Sequence, residues 1–499
     1  MGNSHSSHNP NGSSKSLSRN NSKKELHDVD KLSAKQLLPT DLLAKVLTEK
    51  SVEQDIQGIG CSVFKKYLFA QYPELGRRIF AYLITQSGYP ASSHVISTAH
   101  FRTQAEKIIG ILTEEQQVSI YINMFADGKD DIDQKQFTDL LYTVYKLTMD
   151  HYPEGPQSCR HIFKTLKAVV DSAFHKKEVL GLSYISHWIQ QNCPKVIILL
   201  HQYVVHVLST GHRTVSENLC DNRNKDLELT TPVLEQGEPS FSSLSGGGGG
   251  CQLHSMLPLS QVWILATTLP PLYTRPTQHS PPNGNGAPHS SYFSKFLHLS
   301  CPSHWTLLYN SNQDGLGANR FLHHVLSYKG PTLTFLRGEG DNVFCIGATS
   351  EWHESHQYWG AQDCIILQIL PLYRVIEKGQ KLIYLNSAIR GYPLGIRAGA
   401  DPRKPALDIN ADLSQVTYQG APYALYSVEV WGCGDTKSRE TQLDIKNWQV
   451  KQAEKQRCVK LSAKEWIDHP DRYLLEMAGR TNYVFKLAGI SSVLSSDIE

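Results

Sequence analysis

The chain has 499 residues and a formal charge of +2, room for several domains and a balance that gives no electrostatic case for a nucleic-acid partner. Its ten cysteines never fall in a C-x-x-C spacing, which argues against a zinc or disulfide framework and for reduced thiols. The first thirty residues hold no apolar signal-like stretch, and the longest apolar run, Val196 to Leu208, is broken by His201, Gln202 and His206. That run is too short to span a membrane and predicts a buried helix.

Residues 1–28 are rich in Ser, Asn, Gly and His and read as a disordered leader. The leader opens Met1-Gly2-Asn3-Ser4-His5-Ser6, the M-G-x-x-x-[ST] pattern of N-myristoylation, with Gly2 as the acceptor amine. One acyl chain binds a membrane only marginally and needs a second signal. Lys15, Arg19, Lys23 and Lys24 precede any acidic residue, and they are expected to supply it against an anionic leaflet.

From 29 to 210 the apolar residues take helical spacing, as in Leu38, Leu42, Leu43 and Val46, then Phe64, Tyr67, Leu68 and Tyr72, then Ile162, Leu166 and Val169. Pro39-Thr40-Asp41 offers a helix start, and Asn192-Cys193-Pro194 a break at which Pro194 opens the next helix. Phe125 to Phe137 is similar to an EF-hand loop, with Ile132 at the central apolar place. On that register the first, fifth and twelfth places hold Phe125, Lys129 and Gln136, and only Asp127 and Asp133 fall where ligands belong. The region is therefore expected to be an all-α, degenerate EF-hand-like domain without a metal.

Residues 211–255 lose periodicity and contain Gly246 to Gly250, a flexible linker. A domain over 256–435 follows, with a Pro/Asn/Gly-rich loop at 274–291. Thr332 to Leu336, Val343 to Ile346, Ile365 to Leu370, Leu382 to Leu385 and Tyr423 to Val430 read as strands, and Asp314 to Tyr328 as a helix. Strands and helices without regular alternation predict an α+β domain. Trp352 and Trp431, in or beside these runs, are expected to be buried.

Within that domain His353-Glu-Ser-His356 falls one residue short of a zinc-binding H-E-x-x-H and predicts an exposed loop. No phosphate loop, nucleophile elbow or paired acid and base is legible, so neither catalytic residues nor cofactors are assigned.

The tail, 436–499, reads as helical, polar on nearly every face from 439 to 459. A helix of that kind bridges solvent, frays or meets a partner. Beyond it, Ser462 to Glu465 is a capping-box match, and Pro470 and Gly479 bracket one more helix. Trp466, Ile467, Tyr473, Leu474 and Leu475 form a compact apolar cluster, the candidate partner-binding residues.

Trp305 to Phe321 followed by Tyr328-Lys-Gly-Pro-Thr-Leu333, Asn342-Val-Phe344, Tyr358-Trp-Gly360, Leu407-Asp-Ile409 and Glu429-Val-Trp-Gly432 resemble, in order, the TLDc family over about 257–434. Cys345 stands where the family usually has glycine, and Val416 to Tyr423 is shortened. With the Met-Gly start and the helical region, the whole is most similar to the family's mTOR-associated, EAK-type branch. The resemblance implies a two-sheet β-sandwich with helices. It also implies a non-enzymatic adaptor in the cytoplasm, peripheral on the lysosomal membrane, with the mTOR complex and the V-ATPase as partners. The readings set against it are a calcium-responsive EF-hand sensor and an antioxidant-type enzyme.

Overall fold

The computed structural model describes residues 39–90, 92–150, 161–216, 257–275, 302, 304–457 and 470–479. Its first part is helical. Four helix–loop–helix units follow one another among the described residues: α1 (Pro39–Val52), β1 (Ile59–Gly60) and α2 (Cys61–Leu68); α3 (Pro73–Gln86), β2 (Val95–Ile96) and α4 (Thr98–Ile109); α5 (Glu114–Phe125), β3 (Asp131–Asp133) and α6 (Gln134–Met149); α7 (Ile162–Phe174), β4 (Val179–Gly181) and α8 (Leu182–Asn192). The units pair through their short strands, Ile59 opposite Ile96 and Ile132 opposite Leu180, both antiparallel. Each pairing satisfies backbone groups that would otherwise be buried unmade.

Local chemistry sets the helix starts. Pro73 begins α3 at a position where its missing N–H costs nothing, and Ser97 and Thr113 cap α4 and α5. α9 (Ile198–Ser216) closes the helical core, burying Leu199, Leu200, Val204, Val207 and Leu208. It starts four residues after Pro194 and runs to Ser216, past the boundary expected at 210.

α10 (Leu259–Thr268) follows, and all ten of its residues are buried. The short α11 (Pro271–Thr274) leads to β5 (Thr306–Asn310), α12 (Ser311–Asp314) and α13 (Ala318–Val325). Then come β6 (Thr332–Gly338), β7 (Val343–Ala348), β8 (Cys364–Leu370), β9 (Arg374–Gly379), β10 (Ile383–Asn386), β11 (Gly395–Ala398), β12 (Leu407–Ile409), β13 (Gln415–Tyr418) and β14 (Ala421–Gly432). α14 (Thr436–Arg457) and α15 (Pro470–Met477) form the tail.

The strands form one hydrogen-bonded path, β10-β11-β12-β13-β14-β6-β7-β8-β9, with β5 added on β14. β14 belongs to two sheets: Ala421 to Ala424 pair with β13, and Leu425 to Gly432 with β6 and β5. The two expected sheets are thus present, open and joined through that strand. The shortened stretch is a tight hairpin, with Gln419 and Gly420 at φ of 52° and 82°, the left-handed pair that a two-residue hairpin turn requires.

The larger sheet is buried on both faces. Along β7 the alternate residues Phe344 and Ile346 join Ile383, Ile396, Ile409 and Val416 in the sandwich core, while Val343 and Cys345 face the other way into the helical core. β8 splits in the same manner, Ile366 inward and Ile365 outward. The helical half covers that outer face, so the two regions expected to be separate domains share one core. Backbone groups cross the boundary too. Tyr373 N donates to Ala168 O (3.0 Å), and Val375 N to the Asn192 side-chain oxygen (3.0 Å).

α10 binds both sides. Trp263 meets Tyr145 of α6 edge-on at 5.3 Å, Ser260 shares a 2.8 Å hydrogen bond with Thr165 of α7, and Thr268 donates to Asn192 O (2.6 Å). From the sheet side, the Tyr373 hydroxyl donates to Ile264 O (3.1 Å) and bonds Thr268.

Candidate interaction surface

The tail leaves the sandwich at a crowded point. Tyr328 fills the space between Gly330, Gly432 and Gly434. A Cβ on Gly432 would lie 2.5 Å from its ring, and Gly434 N donates to its hydroxyl (2.9 Å). Only glycine fits that approach. Asp435 then starts α14, accepting from the backbone N–H (2.9 Å) and hydroxyl of Ser438.

Gln442 docks the helix. It is fully buried, and its amide donates to His324 O (2.9 Å) and Leu326 O (3.1 Å) at the end of α13. One side chain thereby satisfies carbonyls that the end of α13 leaves without an intrahelical partner. One turn on, the Lys446 amine donates to His324 O (3.3 Å). Burial and Arg439 push that amine below its ordinary value, and Asp314 opposes the shift. His324 is also pushed down, by burial first, although Asp314 lies 3.6 Å away.

Past Lys446 the packing stops. From Asn447 to Lys455 every side chain except Gln452 is exposed. Trp448 is 62% exposed and Val450 54%. The polar helix expected at 439–459 is therefore anchored along its first ten or so residues and projects beyond them. In α15, Tyr473 and Leu474 are also exposed. Leu475 lies in the same helix, whereas Trp466 and Ile467 lie outside the described residues, as do Gly2, Lys15, Arg19, Lys23 and Lys24.

The other sequence candidates have separate fates. Asp133 caps α6 in a reciprocal box with Gln136, and Asp127 pairs with Arg78 at 3.2 Å. His353 lies tilted against Trp359 at 4.7 Å and His356 against Tyr392 at 5.4 Å, so each imidazole of the exposed loop has its own aromatic neighbour. Among the described residues no group of three or more His, Cys, Asp or Glu converges as a metal site would require, and no helix is long and apolar enough to cross a membrane. Trp352 and Trp431 are buried as expected. Sequence reading missed Gln442 and Arg78, because a buried Gln or Arg carries no periodic signal.

Residues 289–434, spanning β5 to β14 and the turn into the tail, match the TLDc domain model. The chain carries a TLDc domain. Similar proteins include the MTOR-associated protein MEAK7 of Gallus gallus, 22% identical over 178 residues, a stretch covering 31% of this chain and 38% of that one. Restriction of telomere capping protein 5 also matches, from Lachancea thermotolerans (42% identical, 30% of each chain) and from Neurospora crassa (21% identical, 35% of this chain and 41% of that one). In each case the match spans less than half the relative's length. The TLDc domain supplies the sandwich and the docking point of α14. α10 and the helical half, against which its outer sheet face is packed, precede residue 289.

Proposed function

We propose that this chain is a non-enzymatic TLDc adaptor that is tethered to the lysosomal membrane, acts in mTOR signalling and binds the V-ATPase. The observation that carries the reading is the projecting end of α14, a helix docked by Gln442 and then exposing Trp448 and Val450. Large aromatic side chains on such a surface are the residues that most often anchor protein interfaces. The mTOR assignment rests on the similarity to the MTOR-associated protein MEAK7 of Gallus gallus. The V-ATPase assignment rests on the TLDc resemblance, and the tether on the Met-Gly start and the four basic residues of the leader.

Two arms test this reading. Gly2→Ala should move most of the protein from the membrane to the soluble fraction. Replacing Lys15, Arg19, Lys23 and Lys24 with Gln should do so in part, and more at high salt. Equal membrane association of Gly2→Ala and parent would remove the tether from the proposal.

The second arm concerns the tail. Truncation after Lys446 leaves Gln442 seated, so the melting temperature should hardly change. Capture of V-ATPase from detergent-solubilised lysosomes should weaken about tenfold or more, the scale of losing one interface anchor. Trp448→Ala should reproduce a large part of that loss. Undiminished capture by the truncated chain would show that the tail is not the binding element.

A further inference from the structure

The loop between α5 and α6 is tight, with Asp127 at φ 54° and Gly128 at φ 75°. It turns two oxygens toward one point, the carbonyl of Phe125 and the carboxylate of Asp127. In loops that bind calcium, such converging oxygens are held together by the ion's charge. Here a guanidinium stands there. Arg78 of α3 donates from Nη1 to Phe125 O at 2.9 Å and to Asp127 Oδ1 at 3.2 Å. Its side chain is 8% exposed, and its guanidinium carbon lies 4.6 Å from the centre of the Phe125 ring. Arg77 adds a second positive charge 3.8 Å from the same Asp127 oxygen, and Glu74 lies 3.3 Å from Arg78 Nε.

The remaining oxygens of the loop are engaged or exposed to solvent. The other Asp127 oxygen accepts from the Gln136 amide (3.4 Å). Asp133 accepts from Gln136 N (2.7 Å). Asp130 O accepts from Leu182 N (3.1 Å), and the Asp130 and Asp131 side chains are exposed.

We propose that the Arg78 guanidinium is the resident cation of the α5–α6 loop, fixing its shape without a metal ion and stapling the second helix–loop–helix unit to the third. Both hydrogen bonds leave the single nitrogen Nη1, the guanidinium lies over the Phe125 ring, and its charge is permanent. This loop is then indifferent to calcium, and the helical half presents one fixed surface to the sheet it covers. The inference stands on the helical half alone and does not depend on what the tail binds.

Amide hydrogen exchange on the full chain, followed by mass spectrometry of peptides covering 125–133, tests it. In the parent, exchange there should be unchanged by calcium up to about 1 mM, the range of the weakest biological sites. Arg78→Met keeps the apolar stem and should speed exchange about tenfold, the scale of losing a charge-assisted hydrogen bond. Arg78→Lys should fall between the two, since an ammonium keeps the charge but is shorter and loses the planar group that lies over the Phe125 ring. If Arg78→Met does not fold, Asp127→Asn reads the same loop from the exposed side and should speed exchange several-fold, by about half of that energetic effect. Calcium-dependent slowing in the parent would overturn the proposal. So would exchange that stays at the parent's rate in every variant that folds.

Discussion

Expressed alone, residues 289–434 should be insoluble, or should melt without a cooperative transition and bind a hydrophobic dye. The outer face of the larger sheet carries Leu333, Phe335, Val343, Ile365, Leu367 and Trp431, all buried against α10 and the helical half. Cutting at the family boundary would expose them as one contiguous apolar patch of a kind soluble monomers rarely present. It would also remove Ala168 O and Asn192, the acceptors of Tyr373 N and Val375 N, so the fragment loses the hydrogen bonds that hold β9 to the helical half. The full chain should instead unfold in one step, helical and sheet signals lost together, because one core serves both. A soluble 289–434 fragment with a sharp melting transition would show that the outer face tolerates water.

The second large effect belongs to Trp431. It is 5% exposed, and its indole N–H donates to Glu429 Oε2 (3.2 Å), whose carboxyl group has no exposed surface and also accepts from Asn310 (3.2 Å). Trp431→Ala should cost about 3–5 kcal/mol, the usual range for emptying a buried aromatic site. Trp431→Phe keeps most of the ring and removes the donor, so it should cost about 1–3 kcal/mol, the range for taking one partner from a buried hydrogen-bonding group. Denaturant melts of the full chain separate the two terms. A Phe variant as stable as the parent would show that Asn310 and the other partners of Glu429 suffice.

Much of this architecture was legible in the residues. The helical spacing of Phe64, Tyr67 and Leu68 and the strand runs at 332, 343, 365 and 423 all lie in elements of the expected kind. The polar helix after residue 436 is there as well. β9, β11, β12 and β13 were not among the runs that read as strands from their pattern, although Leu407-Asp-Ile409 of β12 is part of the family resemblance. They are short or carry charged residues such as Arg374, Glu377, Arg397 and Asp408, and only pairing with neighbours makes them strands. Three of the four helix–loop–helix units were also missed, since their loops lack acidic spacing and their strands are two or three residues long.

The shared core was not read, yet it had a signal. Cys364-Ile-Ile-Leu-Gln-Ile-Leu370 hardly alternates, the mark of a strand covered on both faces. At the candidate surface, the exposed Tyr473 and Leu474 could be named from sequence. The Gln442 dock could not, because its partners are backbone carbonyls 116 and 118 residues away in the chain.

β14 gives the tail a mechanical character. Three residues separate the end of that strand at Gly432 from the start of α14, so a partner holding the projecting helix is joined almost directly to the one strand common to both sheets. A pull along its axis loads the ladders to β13, β6 and β5 in parallel, as shear across many hydrogen bonds at once instead of peeling them one by one. An element placed this way transmits displacement with little slack. Motion imposed on the tail by a moving partner would arrive in the sandwich, and in the helical half packed against it, as movement of the whole body.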